Sequence, residues 1–178
     1  MKPTRARYGK IDRLVQELLD KYSVISAPVP VDAIAISEGA EIILNKFNKE
    51  ISGLLLRTEG KAVIGVEKTQ SPARQRFTIS HELGHLLLHE GKEVRLDTNF
   101  RVNLRSPESS KADDIEEIEA NAFAAALLMP EVFLKVDLAD FVLDIDDAEQ
   151  VQQLAKRYQV SAQAMTIRLL NLGSLGRI

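Results

Sequence analysis

The sequence predicts an α+β domain: a small, mostly antiparallel sheet packed on one long helix, followed by a helical C-terminal segment. Three observations carry that expectation. Ser71 to Gly91 has helix signals at both ends and apolar residues at helical spacing between them. Ile51–Arg57 and Lys61–Glu67 are apolar, β-branched runs joined by Thr58-Glu59-Gly60, the pattern of a hairpin. The strand patterns precede the long helix instead of alternating with helices, which is the α+β order.

Composition narrows the function classes. The chain has 178 residues, enough for one ordinary domain, and 45% of them are hydrophobic, enough for a real core. A net charge of −3 gives no electrostatic case for bulk nucleic-acid binding. Cysteine is absent, which excludes disulfides, thiolate ligands and a thiol nucleophile. Any metal must then be held by histidine and carboxylate. The basic start, Met1-Lys2-Pro3-Thr4-Arg5, is followed by no apolar signal core, and no run approaches a membrane span. A soluble, cytoplasmic protein is expected.

In chain order, Tyr8 to Tyr22 reads as an amphipathic helix with Ile11, Leu14, Val15, Leu18 and Leu19 as its apolar stripe. Pro28 and Pro30 mark an extended link before a short helix, Val31 to Glu38, that stops near Gly39. Glu41 to Leu44 is a strand, and the hairpin follows. Ile51–Arg57 is the candidate sheet edge. Gly53, Leu54 and Leu55 there could receive an extended peptide as an added strand.

The long helix carries the chemistry. Ser71 suits its N-cap, Pro72 its first turn and Gly91 its stop. Ile79, Leu83, Leu86 and Leu87 share one face. His81 and His85 lie one turn apart on another, with Cβ atoms about 5–6 Å from each other. Two imidazoles so placed converge on one zinc ion. Glu82 follows His81 directly and reaches the edge of the site, where it takes a proton from water. His-Glu-x-x-His on a helix implies zinc-dependent hydrolysis with a glutamate base. His89 continues the row but stands about 12 Å along the axis from His81, too far to share the ion. Its expected place is at the helix C-terminus, as a cation or capping donor. Arg74 and Arg76 precede the motif and are candidate substrate contacts, with surface ion pairing the plainer reading.

A catalytic zinc needs a third protein ligand and an open position. After the polar stretch Arg105–Lys111, a helix is predicted over Asp114–Met129, with an acidic start and an alanine-rich body. It offers Glu116, Glu117 and Glu119. Glu117 stands out because Asn121 follows one turn later on the same face, with Ala120 and Ala124 leaving that face unobstructed. Glu117 is thus the candidate ligand, Asn121 the residue that orients a histidine ring, and Glu119 points elsewhere. Pro130 ends this helix and starts a short one through Leu134.

Arg74-Gln75-Arg76-Phe77-Thr78-Ile79-Ser80-His81-Glu82-Leu83-Gly84-His85-Leu86-Leu87-Leu88-His89, followed by Glu117-Ile118-Glu119-Ala120-Asn121-Ala122-Phe123-Ala124-Ala125-Ala126-Leu127-Leu128-Met129-Pro130, resembles the ImmA/IrrE family of metallo-endopeptidases. The resemblance implies a gluzincin-like peptidase fold, with a small sheet over a zincin-type His-Glu-x-x-His helix. It implies His81, His85 and Glu117 as ligands, Glu82 as base and Asn121 behind the ligands. It further implies a protein substrate, a helix-turn-helix repressor of the Xre type encoded nearby, whose cleavage relieves repression. Some relatives extend into a sensor-like C-terminal domain, for which the length read here leaves no room. Zinc is the expected ion, and the same ligand set would accept manganese, iron or cobalt.

Residues 1–140 are expected to form the peptidase domain and 141–178 a helix-turn-helix-like segment. In the latter, Val151, Leu154 and Ala155 make one helix face, Tyr158-Gln159-Val160 turns and Ser161 caps. Met165, Ile167, Arg168 and Leu169 then make a second helix. That second helix has one cation, Arg168, too few for useful affinity to phosphate, so packing or partner docking is favoured over DNA binding. Tyr158 and His89 are remote candidates for stabilising an oxyanion. The alternatives are a DNA-binding regulator with a structural metal and a module that holds a repressor without cutting it. Glu82→Gln separates cleavage from both.

Overall fold

The computed structural model describes residues 5–47, 51–58, 61–89, 94–98, 112–139, 145 and 147–174, with backbone alone at 95–98, 112–114 and 174. Glu59-Gly60, the Gly91 stop and the polar stretch Arg105–Lys111 lie outside these residues. Helix α1 (Tyr8–Lys21) buries Ile11, Val15, Leu18 and Leu19 of the expected stripe, with Leu14 partly buried beside them. Helix α2 (Val31–Ser37) follows, and Gly39 at φ +90 makes the turn out of it.

Strands β1 (Ala40–Asn45), β2 (Ile51–Thr58), β3 (Lys61–Glu67) and β4 (Val94–Thr98) form one sheet in the order β1-β3-β2-β4. β2 pairs antiparallel with β3 and with β4, whereas β1 pairs parallel with β3. The sheet is mostly antiparallel, as expected, and the hairpin seats β3, not β2, against β1 to make its one parallel pair. The fourth strand was not expected.

β4 also corrects the expectation that Ile51–Arg57 is an edge. β2 exchanges backbone hydrogen bonds on both sides, so a peptide cannot add there. On one face of the sheet Gly53, Leu55 and Arg57 of β2 lie beside Val66, Ile64 and Ala62 of β3. Leu55, Ile64 and Val66 are fully buried in the core. Leu54 projects from the opposite face, against Gly65.

Helix α3 (Pro72–Leu88) starts as its sequence dictates, with Ser71 Oγ accepting from the backbone N–H of Arg74. It runs between the sheet and α4 (Ala112–Leu128), and its residues from Thr78 to His85 are all buried. Close approach of the two helices depends on Gly84. A Cβ there would lie 2.9 Å from Phe123 Cδ1 and 3.3 Å from Ala120 Cα, and Phe123 is itself fully buried. Gly84→Ala is expected to destabilise the fold by about 1–3 kcal/mol, read as a lower urea midpoint. An unchanged midpoint would show that α4 can retreat freely.

Helix α5 (Glu131–Leu138) leads to α6 (Ala148–Tyr158) and α7 (Ala162–Ser174). Asp147 caps α6, Gln159 ends it in the left-handed conformation at φ 54, and Ser161 Oγ accepts from Ala164 N at the start of α7. Tyr158 is fully buried and donates to Asp137 Oδ2 at 2.7 Å, tying α6 to α5. Burial and that hydrogen bond raise its pKa. No described helix is long and apolar enough to cross a membrane.

Candidate metal centre

α3 and α4 bring three of the singled-out side chains together. His81 Nε2 and His85 Nε2 stand 2.9 Å apart, the fully buried rings meeting edge to face. Glu117 comes in from α4, 3.3 Å from His81 Nε2 through one oxygen and 3.4 Å from His85 Nε2 through the other. Among the described residues these three form one group of nitrogen and carboxylate ligand atoms, all within 4.8 Å of one another. Tetrahedral ligands about 2.0–2.1 Å from one ion lie about 3.3 Å from each other, so the observed spacings fit a single divalent cation. Two imidazoles and a carboxylate, without thiolate, suit zinc.

The His81 ring is held from behind. Asn121 Oδ1 lies 3.1 Å from His81 Nδ1. An amide oxygen only accepts, so Nδ1 carries the proton and Nε2 presents a bare lone pair to the centre. Glu117 supplies the carboxylate of the set. Its side chain is 38% exposed while both imidazoles are sealed, which leaves the Glu117 side of the centre as its approach from solvent.

Glu82 is fully buried on the next position of α3. Its carboxylate lies against β2 at Gly53, where a Cβ would come 2.8 Å from Glu82 Oε1 and 2.5 Å from Thr78 Cγ2. Gly53, singled out for substrate contact, is thus the position that lets Glu82 fit beneath the sheet. Gly53→Ala should displace the carboxylate and cut any hydrolytic rate roughly 10–100-fold, since misplacements near 1 Å cost up to 10². Metal affinity, measured alongside, should hold. A rate equal to that of the parent would mean Glu82 has room elsewhere.

The remaining candidates make contacts within the fold. Arg76 donates from Nη2 to Val29 O at 2.9 Å, and the Arg74 guanidinium sits 5.7 Å from the centre of the Phe77 ring. Both lie on the first turns of α3, before the histidines. Tyr158 bonds to Asp137, as above. His89 caps α3 and is buried, with Nε2 2.9 Å from Glu119 Oε2 and Nδ1 3.0 Å from His85 Nδ1. Glu119 points away from the centre as expected, and Arg7 clasps it through its backbone N, Nε and Nη2 at 2.7, 2.9 and 2.7 Å.

Sequence reasoning missed two arginines. Arg57 Nη2 donates to His85 O at 2.6 Å and His89 O at 3.2 Å, and Arg7 Nη2 to Leu88 O at 3.3 Å. They satisfy carbonyls that the end of α3 leaves open. Arg57 carried a usable signal, a cation on the β2 face otherwise made of Gly53 and Leu55. Arg7 had none.

Comparison with known proteins places these features in context. The family model described as the IrrE N-terminal-like domain matches residues 37–170. The chain is 32% identical over 102 residues to the radiation response metalloprotease IrrE of Deinococcus radiodurans, 57% of this chain and 29% of that protein. It is 32% identical over 100 residues to IrrE of Deinococcus deserti, spanning 33% of it. The chain thus spans a third or less of either IrrE protein. An uncharacterized immunity region protein of Bacillus phage phi105 is 30% identical over 141 residues, 79% of this chain and 82% of that one. In overall fold the chain is similar to a Mycobacterium tuberculosis transcriptional regulator. The TM-score is 0.61 at 15% identity, covering 90% of this chain and 46% of the regulator.

Proposed function

The chain belongs to the ImmA/IrrE family of metallopeptidases, and from that premise we propose that it is a zinc-dependent endopeptidase. His81, His85 and Glu117 are its ligands and Glu82 its general base. The observation that carries the reading is the convergence of His81 Nε2, His85 Nε2 and the Glu117 carboxylate across two packed helices. In this reading residues 1–140 are the peptidase domain, with the His-Glu-x-x-His helix beneath the sheet in the zincin manner.

A divalent ion held by His81, His85 and Glu117 would lower the pKa of a water towards ~7 and polarise the scissile carbonyl. Glu82 is the general base that takes up a proton and the acid that returns it to the leaving amine. Glu82 is fully buried, with its carboxylate against β2 at Gly53. Asn121 holds the His81 ring in the tautomer a ligand needs. Beyond β2, β4 is the outermost strand among the described residues, and in this reading the peptide lies along it.

As substrate we propose a helix-turn-helix repressor of the Xre type. Support comes from the family resemblance and from a relative whose name ties it to a phage immunity region. Residues 141–178 serve packing or partner docking. The spacing of α6 and α7 resembles a DNA-reading unit, but Arg168, the one cation of α7, spends its Nε–H on Met129 O at 3.1 Å. Fluorescence anisotropy at physiological salt should therefore show no DNA binding tighter than about 10⁻⁶ M, the non-specific range. A nanomolar, sequence-selective isotherm would favour a DNA-binding regulator. A cytoplasmic location accords with the lack of cysteine.

The direct test incubates the protein, with zinc, with the repressor encoded beside its gene. One discrete cut, absent for Glu82→Gln, is the expected result. Stable binding without cleavage would replace the peptidase by a holding module.

A further inference from the structure

We propose that His89, Glu119 and Arg7 form a positioning relay that fixes the tautomer of His85 and so sets the affinity of the metal centre. The inference rests on the metal-ligand reading of His81, His85 and Glu117. His89 is not a ligand. It is nonetheless buried, and a buried imidazole needs a partner at each nitrogen.

The proton positions follow from the partners, beginning at the far end. Arg7 spans both oxygens of Glu119 and adds its backbone N–H, and the Glu119 side chain is wholly buried. A guanidinium on both oxygens keeps the Glu119 carboxylate ionised. An ionised carboxylate only accepts, so the proton between Glu119 Oε2 and His89 sits on His89 Nε2. Neutral His89 then has a bare Nδ1, which faces His85 Nδ1 at 3.0 Å. That pair makes a hydrogen bond only when His85 Nδ1 carries the hydrogen. His85 Nε2 is left as a lone pair aimed at His81 Nε2 and Glu117. Asn121 does the same for His81 with one amide oxygen. For His85 the acceptor is built from three residues, on α3, on α4 and just ahead of α1.

Without that acceptor, His85 is free to place its proton on Nε2 and must surrender it for every ion bound. Loss of such an outer partner typically weakens metal binding about 10–100-fold. Zinc affinity, by competition with a chromophoric chelator, is compared for the full-length parent, His89→Leu, His89→Gln and His81→Ala, with the melting point of each metal-free form. His89→Leu should bind about 10–100-fold more weakly, whereas His89→Gln should stay within about threefold because its amide oxygen accepts the same proton. Long-range ¹H–¹⁵N correlations on the zinc-loaded, ¹⁵N-histidine parent should place the His89 proton on Nε2.

Three results would overturn the relay: a folded His89→Leu with parental affinity, a His89→Gln as weak as His89→Leu, or a His89 proton on Nδ1. If His89→Leu does not fold, the glutamine variant and the parent's spectrum still decide. A parent that takes up no zinc, or a His81→Ala that binds as well, would bring down the metal reading and the relay with it. If His81→Ala abolishes binding and His89→Leu leaves it untouched, the relay alone falls.

Discussion

Glu82→Gln is expected to lower peptide-bond hydrolysis by about 10²–10⁴-fold, the span supplied by a positioned general base, while zinc uptake stays at the parental level. The amide has the size of the carboxylate and fits the same space beneath Gly53, so the fold has no reason to move. It cannot take a proton from water, and it is not one of the three converging ligand groups. Single-turnover cleavage with parallel zinc titration reads both halves. Retained cleavage would remove Glu82 from the chemistry, and lost zinc would mean that its charge helps to hold the ion.

Glu117→Ala has a comparable effect on the other axis, metal affinity. It takes away a carboxylate within 3.4 Å of both imidazoles and the negative charge that offsets a dication. Losing a direct ligand should cost more than the 10–100-fold typical of an outer partner, so a loss of at least about 10³-fold is expected. Glu119→Ala serves as the contrast, since Glu119 faces Arg7 and His89 instead. Isothermal titration with zinc distinguishes them. If Glu119→Ala proved the more damaging of the two for direct binding, the third ligand would be misassigned.

The parts of this account that were legible beforehand are those in which chemistry repeats at a local period. His81, Glu82 and His85 stand on one helix at fixed spacing. Asn121 marks out Glu117 because the two are one turn apart on a face cleared by alanine. The amphipathic stripe of α1 and the capped start of α3 follow from the same kind of pattern. Illegible features depend on chain segments meeting across long separations. Val94–Thr98 is a short strand that alternates apolar and polar residues over only its first four positions, and without it β2 looks like an edge. The parallel pairing of β1 with β3 is a matter of strand order, which no single strand encodes.

His89 shows both limits in one residue. Axial rise puts it at the helix end, and there it caps α3. Its pairing with Glu119, thirty residues on, and through it with Arg7, needs α4 and the N-terminal segment to be folded against that end. Gly84 and Gly53 were readable only as small residues. Their reason, the closeness of Phe123 and of Glu82, exists only in three dimensions.

X-ray absorption at the zinc edge, on protein loaded with one equivalent, tests the whole account most directly. Two imidazole nitrogens and a carboxylate oxygen about 2.0–2.2 Å from the ion, with one imidazole lost in His85→Ala, are the expected result. Failure to take up zinc stoichiometrically, or a coordination sphere unchanged by His85→Ala, would contradict it.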